Sequence, residues 1–138
     1  LMEELKTTGK YTITPEMKEK LADFAAGYST EEETAEIIHD TYQKTGYVMD
    51  THTAVAAHVC GQYRAKSGDQ TKCVIASTAS PYKFVKSVMS AIDAENANAD
   101  EFDLLPKLQE VSSVPMPQAI KDILDAIDRF VYFENRKK

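Results

Sequence analysis

The sequence is poor in the residues that mark several common classes of protein. It contains no tryptophan, two cysteines and five scattered glycines, and it has no apolar run that approaches a membrane span of roughly 20 residues. No signal peptide opens it, and it has no glycine-rich loop of the kind that cradles phosphate. We therefore expect no membrane association and a cytoplasmic protein.

Neither the cysteines nor the histidines are spaced for a metal site. Cys60 and Cys73 lack the CxxC spacing, so we expect two buried, reduced thiols, and a disulfide between them is the alternative. His52 and His58 are six residues apart and do not share a helix face as zinc ligands on one helix would. The sequence therefore predicts no metal centre.

Basic residues are too few and too scattered for a nucleic-acid surface. The chain has 16 lysines and arginines against 22 aspartates and glutamates, and its one basic cluster is Arg136-Lys137-Lys138. Three terminal cations are suited to offset the negative end of a last helix. With a net charge of −6, we expect no nucleic-acid partner.

The length of 138 residues is that of one domain, and it is sufficient for a core that needs no metal or disulfide. Residue 1 is leucine rather than an initiator methionine. We therefore expect residues 1–138 to be a single piece of a longer polypeptide.

Helix signals alternate with two short strand signals. Capping residues and apolar periodicity predict helices from Thr14 to Gly27, from Ser29 or Thr30 to Gly46, from Ala54 to Gly68, after Ser80-Pro81, around Pro106, and from Pro117 onward. Short apolar runs predict strands at Tyr47 to Met49 and Lys72 to Ala76, with an optional edge strand at Lys10 to Thr12. Strand, helix and strand within about 30 residues indicate a parallel βαβ unit. The predicted fold is a helix-rich α/β fold, in which helices flank a short parallel sheet fragment.

Polar side chains follow both predicted strands. They are Asp50, Thr51, His52 and Thr53 after the first strand, and Ser77, Thr78 and Ser80 after the second. Because parallel strands place their carboxyl ends at one edge of a sheet, we expect the two groups to border a ligand site. A threonine hydroxyl such as that of Thr78 can donate a hydrogen bond to a pyridine nitrogen without favouring its protonation.

Each candidate also has a purely structural interpretation. The hydroxyl of Thr78 can satisfy local backbone groups, and Asp50 or Thr51 can cap a helix while His52 bonds to the cap. Lys83 can act as a desolvated nucleophile or as an anchor for an anionic substrate, but a lysine in a first helical turn is more often solvated.

Two segments of the sequence resemble the threonine synthase family. Ser77 to Phe84 is similar to its Ser-Thr-Ala-His-Pro-Ala-Lys-Phe motif, and Asp50 to Ala56 is similar to its Asp-Pro-His-Thr-Ala-Val-Gly segment. Order and spacing both agree, and the likeness covers nearly the whole chain until it fades near residue 100. Ser80, Thr51 and Ala56 stand where the family often has histidine, proline and glycine.

The resemblance implies an enzyme of pyridoxal phosphate fold type II, the tryptophan synthase β-like family. Such an enzyme is a carbon-oxygen lyase that converts O-phospho-L-homoserine and water to L-threonine and phosphate. Thr78 is then expected to face the pyridine nitrogen of the cofactor, with Ser77 and Ser80 beside it. Asp50, Thr51, His52, Thr53 and Lys83 are expected to form part of the wall of the active site.

The resemblance also implies what this chain does not carry. The Schiff-base lysine and the phosphate loop of the family lie N-terminal to this segment, so we expect a C-terminal part of the enzyme that is inactive alone. Its main partner is then the missing N-terminal part, and the face toward that part is expected to be apolar or covered by self-association.

Two other functions are compatible with the sequence. One is a free-standing α/β regulatory module that binds an anion or cofactor at the helix N-terminus after Ser80-Pro81. The other is a structural interaction domain whose last helix docks on a partner through Ile120, Leu124, Ile127 and Phe130.

Overall fold

Helices make up most of the molecule. The computed structural model describes residues 1–135, and it describes side chains as far as Arg129. Helical residues amount to 66% of the chain. In the described part they form α1 (Met2–Thr8), α2 (Pro15–Glu19), α3 (Glu31–Thr45), α4 (Thr51–Ser67), α5 (Val85–Ile92), α6 (Glu101–Ser112) and α7 (Gln118–Asn135), with 3₁₀ turns at Pro81–Phe84 and Ala94–Asn98. The side chain of Phe130 and the cluster at 136–138 lie outside the described residues.

The predicted α/β fold with a parallel βαβ fragment is wrong. Residues 1–135 contain no strand, and their backbone hydrogen bonds outside helices all join residues at most four apart. A strand needs a hydrogen-bonded neighbour, and the segments 47–49 and 72–76 do not pair with each other or with 10–12. Each of the two short apolar runs is therefore an irregular segment. The segment 47–49 is largely buried in the core, and the segment 72–76 is exposed on the surface.

The core lies between α3, α4, α5 and α6. α3 packs against both α4 and α5, and α5 packs against α6. The most deeply buried apolar side chains are Ile38, Ala54, Val88, Leu104 and Leu108. Ile120 and Leu124 of α7 pack against this cluster at its margin. Because Ala54 is one of these residues, the N-terminus of α4 is fixed by the core.

Local signals set the ends of α3 and α4 as the sequence predicted. Thr30 and Glu33 form a complete capping box, in which each side chain accepts a hydrogen bond from the other residue's backbone N–H. Gly46 and Gly68 end the two helices with φ of 72°, a left-handed conformation that costs glycine least. α2 begins at Thr14-Pro15 as predicted but ends at Glu19, well before Gly27.

The N-terminal arm, residues 1–28, is exposed along its whole length. It approaches α4 at its end, where the carbonyl of Tyr28 accepts a hydrogen bond from Gln62 Nε2 at 3.3 Å. A Cβ at Gly27 would lie 2.9 Å from Gln62 Oε1 and 3.0 Å from Val59 Cγ1, so a larger residue here would require these two side chains to shift. Among the described helices, none is long and apolar enough to cross a membrane.

Candidate functional site

Asp50 organises the N-terminus of α4. It is 1% exposed, and its Oδ1 accepts hydrogen bonds from the backbone N–H of His52 at 2.9 Å and of Thr53 at 3.3 Å. Its Oδ2 accepts a further hydrogen bond from the hydroxyl of Thr53. The structure thus has Asp50 as the helix cap, one of the two roles that the sequence left open for it.

Ser77 joins the second motif to the first. Its Oγ lies 3.2 Å from Thr53 Oγ1, within hydrogen-bonding distance. A threonine hydroxyl carries one proton, and that of Thr53 is directed at Asp50, so Thr53 is free to accept from Ser77. Asp50, Thr53 and Ser77 therefore form one continuous polar chain, although no sheet brings them together.

The segment 71–78 lies along one face of α4. Three contacts hold it: Arg64 Nη2 donates to the carbonyl of Thr71 at 2.6 Å, the sulfurs of Cys60 and Cys73 are 3.0 Å apart, and Thr53 meets Ser77. Residues 53, 60 and 64 share a helix face because they are seven and four residues apart. From residue 53 to residue 64 along α4, the contacting residues of the segment run from 77 back to 71. The segment therefore runs antiparallel to the helix.

The spacing of these contacts shows that the segment is nearly extended. Seven helical residues rise roughly 10 Å, and the four residues from Cys73 to Ser77 span about 13 Å when fully extended. Cys73 and Ser77 contact α4, and Ile75, which an extended backbone directs to the same side, is 37% exposed. Val74, between them, is 90% exposed, and Thr78 is exposed as well. The side of the segment that carries Val74 and Thr78 therefore faces away from α4.

An aromatic ring lies beside the polar chain. The centroid of Phe84 is 5.0 Å from that of the His52 ring, and Lys83 Nζ lies 5.4 Å from the Phe84 centroid, within reach of a cation–π contact. His52 Nδ1 is 3.5 Å from Asp50 Oδ1, and the His52 side chain is 60% exposed. Phe84 therefore contacts two nitrogen-bearing side chains, those of His52 and Lys83, at the edge of the site.

The remaining candidates have different surroundings. Ser80 Oγ accepts a hydrogen bond from the backbone N–H of Tyr82 at 3.3 Å and so caps the turn Pro81–Phe84. Thr51 is half-buried and lines a cleft of about 280 Å³ together with His52, Phe84 and Ser87.

The structure joins Asp50, Thr53 and Ser77 in one polar chain, and it places His52 and Lys83 against Phe84, a residue that the sequence assigned only to a helix face. The sequence considered a contact between Cys60 and Cys73 only as a disulfide, whereas the two are free thiols in contact, and the expectation that both are buried is wrong, because Cys60 is half-buried and Cys73 is exposed. Both contacts are tertiary. Among the sequence signals, the pair of motifs came closest to indicating that these parts of the chain meet.

The expectation that Thr78 faces the ring of pyridoxal phosphate is compatible with its surroundings, because Thr78 is exposed and directly follows Ser77 of the polar chain. The described glycines supply no phosphate cradle, since Gly9, Gly46 and Gly68 each end a helix. In the part of the chain that the structure describes, no group of three or more His, Cys, Asp or Glu side chains is placed to hold a metal ion.

Comparison with known proteins gives a consistent family. The model described as "Threonine synthase, C-terminal" matches residues 53–137. Threonine synthase-like 1 of Homo sapiens is 31% identical over 116 residues, which cover 83% of this chain and 15% of that protein. Threonine synthase of Saccharomyces cerevisiae is 32% identical over 119 residues, which cover 81% of this chain and 23% of that enzyme. Threonine synthase of Schizosaccharomyces pombe is 35% identical over 95 residues, which cover 67% of this chain and 18% of that enzyme. The chain thus spans less than a quarter of the length of these relatives.

Proposed function

This chain belongs to the threonine synthase family, and from that premise we propose that it is the C-terminal part of an enzyme that converts O-phospho-L-homoserine and water to L-threonine and phosphate. The observation that carries the proposal is the contact between Thr53 and Ser77, which joins the two family motifs. It puts Thr78 at the border between the polar chain and the outer side of the segment 71–78. This part of the chain forms one wall of the active site.

Thr78 acts on the cofactor ring. Pyridoxal phosphate, when bound, supplies the electron sink that stabilises a carbanion on the substrate. The Thr78 hydroxyl donates a hydrogen bond to the pyridine nitrogen, and because it is neutral it does not favour protonation of that nitrogen. Ser77 holds the backbone at this point through Thr53, and Ser80 positions the following turn through its cap.

His52 and Lys83 act on the substrate side. Lys83 is exposed, and its ammonium group attracts an anionic substrate toward the site. His52 is held between the Asp50 carboxyl and the Phe84 ring, which limits the directions in which its imidazole can donate or accept a hydrogen bond. Thr51 lines the cleft beside them.

The rest of the enzyme supplies what this chain lacks. The lysine that holds the cofactor and the phosphate cradle belong to the N-terminal part of the longer polypeptide, so this chain alone has no threonine synthase activity. The outer side of the segment 71–78, with Val74 at its centre, contacts that part.

The alternative of an anion-binding module at Ser80-Pro81 has weaker support. The turn Pro81–Phe84 is a four-residue 3₁₀ turn, and the Ser80 hydroxyl already accepts the hydrogen bond of the Tyr82 N–H. That group is one of the few N–H donors that such a terminus offers to an anion.

The test uses the longer enzyme that contains this chain. Thr78→Ala is expected to lower kcat/KM for O-phosphohomoserine about tenfold, the equivalent of about 1.4 kcal/mol and within the range of one neutral hydrogen bond. Thr78→Ser keeps the hydroxyl and is expected to retain most of the activity. The control is Thr45→Ala, an exposed threonine on α3. Threonine formation at the unmodified rate in Thr78→Ala would overturn the proposed role of this residue.

A further inference from the structure

We propose that Cys60 and Cys73 are a redox site, which forms an intramolecular disulfide by exchange with a low-molecular-weight disulfide of the glutathione type. The two sulfurs are 3.0 Å apart, closer than two unbonded sulfur atoms normally approach each other, and both cysteines are free thiols. The bond would tie the segment 71–78 to α4 at its centre.

The thiol pair is held in place by contacts that do not involve sulfur. On one side, Arg64 donates to the carbonyl of Thr71, two residues before Cys73. On the other side, Thr53 meets Ser77, four residues after it. Because both neighbours fix the segment on the same face of α4, the juxtaposition of the thiols follows from the fold, and the disulfide needs no rearrangement of the helix.

The two thiols differ in their access to solvent. Cys73 is exposed on the segment, and Cys60 is half-buried on the helix. The hydrogen bond from Cys60 to Cys73 raises the pKa of the Cys60 thiol; burial adds to this rise and the charge of Arg64 opposes it. Because an external disulfide must reach the sulfur that attacks it, the exposed Cys73 is the first nucleophile and Cys60 is the resolving thiol.

The exchange balances as two consecutive displacements. The Cys73 thiolate attacks one sulfur of glutathione disulfide, the S–S bond of the reagent breaks, and one glutathione thiolate leaves. The Cys60 thiolate then attacks the Cys73 sulfur of the mixed disulfide and releases the second glutathione thiolate. The two protons lost by the cysteines end on two glutathione thiols. The protein dithiol is oxidised by two electrons, and the glutathione disulfide is reduced by the same two.

The disulfide has a consequence for the candidate site, because Cys73 precedes Ser77 by four residues. Oxidation fixes the part of the chain that carries Ser77 and Thr78, and reduction leaves it held by hydrogen bonds only. Formation of the bond does not depend on any cofactor or on the activity of the longer enzyme. The outcome of an experiment on the disulfide is therefore independent of whether the proposed function is correct.

The experiment measures the equilibrium between dithiol and disulfide in glutathione redox buffers for the chain of 138 residues. After acid quench and alkylation, mass spectrometry quantifies the disulfide and identifies it as a link between the tryptic peptides 45–64 and 73–83. The same equilibrium in concentrated guanidinium chloride is the reference. We expect the native constant to exceed the denatured one at least about tenfold, or about 1.4 kcal/mol. A ratio of one or less, or linked peptides only in covalent dimers of two chains, would overturn the proposal.

Variants test the geometry and the order of attack. Arg64→Ala is expected to lower the native equilibrium constant about two- to fivefold, by loss of roughly one hydrogen bond, and to leave the denatured constant unchanged. The matched control is Lys66→Ala, an exposed cation on the same helix. An unchanged native constant in Arg64→Ala would contradict the flanking role of that side chain. Cys60→Ser, which keeps Cys73, is expected to form the mixed disulfide faster than Cys73→Ser, and the reverse order would overturn the assignment of the first nucleophile.

Discussion

The two halves of the candidate site are built in different ways. The half at the N-terminus of α4 is centred on Asp50, which is 1% exposed and satisfied by three hydrogen bonds next to the core residue Ala54. The half on the segment 71–78 is exposed, and a few side-chain contacts hold it to α4. The contacts within this chain therefore fix the first half more firmly than the second half, whose outer side is exposed.

The largest expected difference between the two regions is in the free energy of unfolding that is lost when an apolar side chain is shortened. Leu104→Ala removes a fully buried side chain from the core that fixes α4, and it is expected to lower the free energy of unfolding by about 2 to 5 kcal/mol. Val74→Ala, on the outer side of the segment, is expected to change it by less than about 0.5 kcal/mol. Urea unfolding followed by circular dichroism measures both. Equal losses would show that the segment belongs to the core.

A smaller loss is expected at the cap of α4. Asp50→Ala leaves the N–H groups of His52 and Thr53 without their acceptor in a buried place, and it is expected to cost about 2 kcal/mol. Asp100→Ala removes the cap of α6 at an exposed position, so its expected cost is about 0.5 to 1 kcal/mol. The same unfolding experiment compares the two caps. A greater loss for Asp100→Ala would contradict the buried role of Asp50.

Tyr82 links the turn Pro81–Phe84 to the backbone after α6, and its contribution to stability depends on pH. Its hydroxyl donates to the carbonyl of Val114 at 2.6 Å, and burial raises the pKa of Tyr82 above its usual value near 10. A raised pKa means that the folded state holds the proton more tightly, so stability is full below about pH 10 and is lost as the pH rises through the folded-state pKa.

Tyr82→Phe tests this contribution. The variant is expected to be about 1 kcal/mol less stable at neutral pH, through loss of one hydrogen bond. It is also expected to lose less stability than the unmodified chain between neutral pH and strongly alkaline pH. Unfolding free energies across this range measure both effects, and Tyr28→Phe, at an exposed tyrosine, is the control. An identical alkaline loss in Tyr82→Phe would rule out Tyr82 as its source.

The smallest expected effect concerns the contacts that attach the segment 71–78 to α4. Ser77→Ala removes the contact with Thr53, which is worth about 0.5 kcal/mol or roughly a twofold change in local opening. Cleavage by trypsin after Lys72 reports this opening, and it is expected to accelerate about twofold. Val74→Ala keeps all contacts to α4 and is expected to leave the cleavage rate unchanged. Acceleration in both variants alike would mean that the contact with Thr53 does not hold the segment.

The sequence predicted the helix boundaries where the signals are local. The capping box at Thr30, the caps at Asp50 and Ser80, and the terminal Gly46 and Gly68 each act within four residues, and the structure contains them all. The two predicted strands failed because strand formation depends on a neighbour distant in sequence, and the described residues provide none. The prediction that α2 extends to Gly27 was wrong for a similar reason, because the apolar stripe of the N-terminal arm does not pack against the core.

The candidate site was predicted in part, and by an argument that the structure replaces. The two motifs meet, but Ser77 reaches Thr53 because its segment lies along α4 and not because two parallel strands end together. The positions of Phe84 beside His52 and of Cys73 beside Cys60 depend on how the chain returns across the helix. No local pattern in the sequence determines such a return.

Amide hydrogen exchange tests the asymmetry between the two halves most directly. It is to be measured for α4 and for residues 72–78, both in this chain and in the longer enzyme that the proposed function implies. The account predicts that α4 is protected in both proteins, and that the amides of 72–78 exchange nearly unprotected in this chain. In the longer enzyme they are expected to exchange at least about 100-fold more slowly, because the N-terminal part covers them. Residues 72–78 that are equally protected in both proteins, or unprotected in both, would contradict it.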